Sequence, residues 1–307
     1  SGVAYMLENR NIMKRVIPDL FNSYAVNPID DYPSQLFKCL GEASFNTNAN
    51  KKIVVLTPGV FNSAYFEHSY LAQQMGVELV EASDLYVSRS NNVLMKTING
   101  PKKIDVIYRR IDDVFIDPKV WRKDSSLGIP GIYNAWKNKK IAIVNAPGSG
   151  VADDKAVYAF VPKMIKFFLK EEPIISQVKT YVCAFKKDLN YVTNNIEKLV
   201  LKPVNESGGY GILIGPQSSK SELKKYKSKI LNNPRNFVAQ PLIKLSTSPT
   251  LINKKIMPRH LDLRPFILSG KNSFVTQGGL TRVAMKRGST IVNSSQGGGS
   301  KDTWIAD

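Results

Sequence analysis

Lys202 and the glycines that follow it have the types and spacing to hold an anion. The run Leu199–Gly215 reads LVLKPVNESGGYGILIG: an apolar strand, a lysine, a proline, a glycine-rich turn and a second apolar strand. Gly208, Gly209 and Gly211 admit positive φ and carry no Cβ, so backbone there can close tightly over a ligand. Successive N–H groups in such a turn form an anion cradle, and Lys202 adds a fixed positive charge beside it. A nucleotide polyphosphate is the simplest anion for that arrangement. A plain β-hairpin with a loose turn has the same local pattern.

The P-loop pattern G-x-x-x-x-G-K-[ST] is absent, and so is a complete G-x-G-x-x-G before a helix. In both of those the turn joins a strand to a helix. Here the strand Ile212–Ile214 follows, so the turn reads as a flap over phosphates, a geometry of kinase-like and ATP-grasp folds.

Other residues are candidates for the same chemistry. Lys155 follows Asp153 and Asp154 in the first turn of an expected helix, where a lysine opposes the helix dipole. It either has a task there or pairs with those aspartates. Arg109 and Arg110 end an apolar strand and either bind an anion or pair with Asp112 and Asp113. Asn62, Tyr65, Glu67 and His68 lie beyond a strand end, as substrate contacts or as ordinary polar residues of a helix start. Along Arg259–Leu268, His260, Asp262 and Arg264 alternate with Leu261, Leu263 and Pro265, which suggests one wet, functional strand face.

These groups need a scaffold. Ile53–Thr57, Val77–Val80, Ile104–Tyr108 and Ile141–Val144 are apolar runs of the kind buried on both sheet faces, with a helix over Ser63–Met75 that Gly76 ends. This is an open α/β unit. Leu7, Ile12, Val16 and Leu20 fit a helical stripe broken near Pro18, a short helix is expected around Ser34–Cys39, and Val157–Leu169 carries another stripe. Further on, strands are expected at Lys179–Phe185, Phe237–Gln240, Leu280–Met285 and Ile291–Asn293, and a helix at Leu189–Lys198. Ser219–Glu222 is a capping box that opens a charged helix reaching about Leu231. Asn293–Trp304 reads as a second glycine-rich loop.

Composition narrows the classes. The 307 residues predict one large or two medium domains, and 43% hydrophobic residues supply a sizeable core. No apolar run is long enough to span a membrane. The two cysteines, Cys39 and Cys183, have no metal spacing and point to a reducing cytoplasm. With His68 and His260 the only histidines, a Ser-His-Asp hydrolase or a histidine-rich metal site is disfavoured. The net charge of +18 is spread through lysine-rich sequence without an aromatic-interleaved basic cluster. Nucleic acid is therefore the weaker reading of that charge, and a lysine bias plus an anionic ligand the stronger. The chain opens on Ser1-Gly2 without Met, as a fragment would.

Six blocks together resemble a known family: DVIYRRIDDVFIDP, NAPGSGVADDKAVYAFVP, VLKPVNESGGYGILIGP, PRHLDLRPF, GGLTRVA and VNSSQGGGSKDTW. They look like the circularly permuted ATP-grasp proteins, relatives of glutathione and glutathionylspermidine synthetases, and the likeness runs from Ser1 to Trp304. It implies an ATP-grasp architecture of the α/β (α+β) class. An open α/β substrate domain would occupy 1–135, and a nucleotide-clamping mixed-sheet region 136–307. It implies ATP and Mg2+ as cofactors and an amide or peptide-like bond formed between a carboxylate and an amine, small-molecule or peptide, through an acyl phosphate. Lys155 and Lys202 resemble the two nucleotide lysines. Ser207, Gly208, Gly209 and Gly211 match the phosphate flap, and Gln240 falls at the hinge beside the adenine. Arg264, Arg282 and Lys301 are the expected catalytic residues, Asp262 and Asn293 the expected metal ligands. Such chemistry joins anions, so cations and backbone donors matter more than a general base. Family members usually extend further upstream. A missing N-terminal segment or partner domain is thus expected to complete the metal site, with Glu8 and Asn9 at its edge, and an ATP-binding module inactive alone is the alternative.

Overall fold

A computed structural model describes residues 2–206, 209–290, 292 and 297–306. Two compact units emerge. One comprises Ser1–Ser149, Asp262–Val283 and Gly299–Asp307; the other, Gly150–Leu261 and Ala284–Gly298. The boundary expected at 135/136 falls instead at 149/150, and two later segments return to the first unit.

In the first unit, helix α1 (Val3–Val16) and helix α2 (Tyr32–Glu42) precede strand β1 (Ile53–Leu56), helix α3 (Tyr65–Met75) and strands β2 (Glu78–Val80), β3 (Val106–Arg109) and β4 (Ala142–Val144). The four strands are parallel in the order β2-β1-β3-β4. Every residue of β1 is at most 2% exposed, because its two faces feed different cores. Val54 and Leu56 pack with Ile107, Ile129 and Ile143, while Ile53 packs with Val106, Leu71 and the α1 side chains Met6 and Leu7. Each such burial contributes roughly 1.5–3 kcal/mol. Gly76 ends α3 at φ +66°, as its position predicts.

The expected stripe on α1 is corrected. Val3, Met6, Leu7 and Arg10 form the buried face, at i, i+3, i+4 and i+7, and Ile12, Val16 and Leu20 are exposed. Arg10 is fully buried because Asp302 meets its Nε at 2.7 Å and the carbonyls of Asn27 and Thr303 take its other donors.

The second unit opens with the short helix α4 (Lys155–Tyr158). Strand β5 (Tyr181–Val182), helix α5 (Lys186–Asn194), strands β6 (Leu199–Pro203) and β7 (Leu213–Ile214), helix α6 (Lys220–Asn232) and strand β8 (Phe237–Pro241) follow. The strands pair antiparallel in the order β7-β6-β8-β5. α6 begins at the expected capping box: the Ser219 hydroxyl accepts from the Glu222 N–H and the Glu222 carboxylate accepts from the Ser219 N–H. The stripe expected on Val157–Leu169 is corrected too. Helix 161–169 buries none of its residues, and Phe168 and Leu169 are exposed.

A third sheet has the order β9-β10-β11-β12, from Thr247–Ile252, Lys255–Ser269, Ser273–Val283 and Gly299–Trp304. The glycine-rich loop expected up to Trp304 therefore ends as a strand from Gly299; of the strand expected at Ile291–Asn293 only Val292 is among the described residues, and it is not assigned to a strand. The β10 alternation is observed with its sense reversed: Leu263 and Ile267 are exposed, whereas Phe266 and Leu268 join the first unit's core.

Candidate functional site

The β5–β8 sheet of the second unit has two unlike faces. Pairing puts Leu199, Leu201, Ala239 and Cys183 on one, where they pack against Val192 of α5 and Tyr226 and Ile230 of α6. Alternation sends Lys202, Val238 and Val182 to the other, in register across three strands, where the small side chains Ala156, Ala159 and Val204 complete a thin apolar cluster. A lysine on that face is partly buried without a thick core over it.

Both expected nucleotide lysines belong to this face. The Lys202 ammonium donates to Gln240 Oε1 at 2.7 Å. Burial pulls its pKa below the usual lysine value, and the nearby Lys155 ammonium pulls it further. Asp154 caps α4 by accepting from the Ala156 N–H at 2.8 Å and pairs with Arg235 at 2.6 Å. Lys155 therefore points away from that carboxylate. Its ammonium donates to the backbone carbonyls of Val204, at 3.4 Å, and Glu206, at the entry to the glycine-rich turn. Burial lowers the Lys155 pKa, opposed by Glu206, Asp154 and Asp153. Of the two readings of Lys155, a surface ion pair is not the one observed.

The strand–turn–strand is a hairpin, with Leu213 opposite Leu201. Gly209 and Gly211 adopt φ of +83° and +68°. A Cβ on Gly211 would meet Pro203 Cγ at 2.8 Å, so that position requires glycine. Tyr226 donates its hydroxyl to the Gly211 carbonyl at 2.6 Å and so ties the end of the turn to α6. Ser207 and Gly208 lie outside the described residues.

Of the expected catalytic and metal residues, Asp262, Arg264, Arg282 and Lys301 belong to the first unit. Asp262 and Arg264 are two apart on β10, and the guanidinium reaches both carboxylate oxygens at 3.4 Å. Arg282 of β11 lies close enough that burial first, and then Arg264, lower its pKa while Asp262 opposes them. Arg282 pairs with Ser300, whose hydroxyl accepts from the Asn9 amide at 3.1 Å, so Asn9 stands at the edge of this group. Lys301 is separated from it: it pairs with Thr281, and alternation turns both to the sheet face opposite Arg282. Burial lowers the Lys301 pKa. No cluster of three metal-ligating side chains occurs among the described residues, and Asn293 is not one of those residues. The Asp262 carboxylate is by type the hard oxygen donor that Mg2+ prefers.

The strand-end residues have structural work. Glu67 accepts from Arg110 at 2.6 Å and from the Gly2 N–H, Tyr108 accepts from Arg110 at 3.0 Å, and His68 Nδ1 meets the Thr57 hydroxyl at 2.9 Å. Arg109 bonds to the carbonyls of Asn145 and Ile111 and to Asp113. Sequence reasoning missed Thr180, which accepts from Gln240 Nε2 at 2.8 Å across 60 residues, and Tyr226, whose hydroxyl has no local signature.

A profile of the Circularly permuted ATP-grasp type 2 family matches residues 1–284. The chain belongs to that family. An uncharacterized protein of Synechocystis is 53% identical over 99% of this chain and 63% of its own length, and one of Mycobacterium tuberculosis is 51% identical over 99% and 55%. A Frankia casuarinae protein provisionally named glutamate–cysteine ligase 2-2 is 41% identical over 99% of this chain and 35% of its own. The chain thus spans less than two thirds of the relatives it matches. The solved glutathione synthetase-like effector GSS30 of Globodera pallida aligns at 12% identity with a TM-score of 0.49, over 90% of this chain and 61% of that one, so the assignment rests on sequence.

Proposed function

We propose that the chain carries the nucleotide-binding and ligation machinery of an ATP-dependent carboxylate–amine ligase. The observation that supports this most is the approach of two partly buried ammoniums, Lys155 and Lys202, whose hydrogen bonds go to neutral oxygens beside a glycine-rich hairpin. Ammoniums held that way keep their positive potential for an arriving polyphosphate. Gln240 and the small apolar cluster flank Lys202, as a flat base requires. In the proposed reaction a substrate carboxylate takes the terminal phosphoryl group of ATP, ADP leaves, and an amine displaces phosphate to form the amide. In the first unit, Arg264 and Arg282 would suit an anionic substrate group and Asp262 would suit Mg2+. Gly209 and Gly211 would let backbone approach the bound polyphosphate.

The test is calorimetric titration of MgATP. Lys202→Ala is expected to weaken binding at least ~100-fold, the loss of a charge-assisted contact in a partly buried site. Affinity equal to the parent would reject the reading. A second reading, a nucleotide-binding module that does not turn over by itself, is kept because the matched relatives are longer. ATP consumption by this chain that depends on both an added carboxylate and an added amine separates the two.

A further inference from the structure

A carboxamide beside a lysine has two orientations that differ by a half-turn, and only one is compatible with the cation. Gln240 must offer Oε1 to the Lys202 ammonium, because Nε2 would set donor against donor. The amide's other end is held. Nε2 donates to Thr180 Oγ1 at 2.8 Å, and the Thr180 hydroxyl donates in turn to the Val178 carbonyl at 3.0 Å. A hydroxyl has one hydrogen. Spending it on a backbone carbonyl leaves Thr180 a lone pair for Gln240, which can then only be a donor at that end. The polarity of a backbone carbonyl is thereby passed through Thr180 and Gln240 to the lysine, each step at 2.7–3.0 Å.

We propose that Thr180 is a positioning residue of the nucleotide site: its hydroxyl fixes the orientation of the Gln240 amide, and the amide thereby aims Lys202. The proposal rests on the nucleotide reading above. It also gives a reason for a glutamine at this place, since an amide offers an acceptor at one end and a donor at the other. Thr180 immediately precedes β5, whose pairing of Tyr181 with Ala239 and Val182 with Val238 on β8 brings it to Gln240, so the sheet register sets this geometry.

The experiment is a double-mutant cycle in the full chain, read as MgATP affinity by calorimetry. Thr180→Val keeps the shape and removes the hydroxyl, and is expected to weaken binding about 10-fold. Thr180→Ser restores the hydroxyl and should bind within about twofold of the parent. Gln240→Glu offers acceptors at both ends, so its orientation no longer matters. In that background Thr180→Val should change affinity by less than about twofold. Parent-like binding by Thr180→Val would overturn the relay, as would a Thr180→Ser variant as weak as the valine one, or an undiminished loss in the Gln240→Glu background. If Thr180→Val fails to fold, Thr180→Ala repeats the cycle with the same expectations. Lys202→Ala is measured alongside. If it binds like the parent, the nucleotide reading itself is rejected. If it loses binding while Thr180→Val does not, only the relay is.

Discussion

The two units treat buried positive charge in opposite ways. In the first, Arg10, Arg109 and Arg110 each meet a carboxylate, Asp302, Asp113 and Glu67, at 2.7, 2.9 and 2.6 Å. In the second, Lys155 and Lys202 meet carbonyls and an amide. A guanidinium cancelled by a carboxylate is a strut, expensive to break because its partner is left buried and alone. An ammonium on neutral oxygens is only half satisfied, and its desolvation is offset when an anion arrives. Composition follows the same division. The first unit has 22 Lys and Arg against 17 Asp and Glu, and the second 21 against 8, so most of the chain's net charge of +18 resides in the second.

The contrast can be broken most directly at Glu67. Glu67→Ala strands Arg110, and denaturant unfolding is expected to show a loss of about 3–5 kcal/mol. Lys202→Met, in contrast, removes a partly desolvated cation and should cost less than about 1 kcal/mol or stabilise. Equal losses from the two would erase the distinction between strut and site.

His68 gives the next largest effect. Burial, aided by the Arg110 charge, holds its pKa down at about 4, from 6.5. The folded state keeps the ring neutral while the unfolded chain takes up a proton below pH 6.5. Stability present above pH 6.5 is therefore lost as the pH falls to about 4 and levels off below, by up to about 3 kcal/mol. His68→Asn should flatten the pH dependence of the denaturation midpoint across that window. An unchanged slope would mean that the ring is not held neutral.

Smaller effects sharpen the picture of the turn. Tyr226→Phe removes the hydroxyl bond to Gly211 and should cost about 1 kcal/mol of stability. Protease cleavage within the turn should rise with it, whereas Ser219→Ala, also worth about 1 kcal/mol through the lost cap, should leave that cleavage unchanged. Equal cleavage in both variants would deny Tyr226 its hold on the turn.

Legibility in the sequence followed the range of the interactions. The parallel strands could be read because a strand covered on both faces must be apolar throughout. The capping box and Gly76 could be read because their bonds are local. Lys202 was legible from the hairpin around it. Arg10 was not, since a charge on a helix reads as solvated until its partner, 292 residues away, is known. The strand that carries Lys301 was hidden for a related reason. Its glycine-rich surroundings read as a loop, and only a strand has faces that can set Lys301 opposite Arg282. Thr180 escaped because strand order, not spacing, brings it to Gln240.

The Arg10–Asp302 pair sets a condition on how the protein is made. Helix α1 is synthesised before the other described elements, yet the carboxylate that its guanidinium requires comes last among the described strands. In the interval that arginine must stay hydrated, and the first unit cannot close its core over α1 until β12 has emerged. The long Gly150–Leu261 segment of the second unit is free to assemble during the wait.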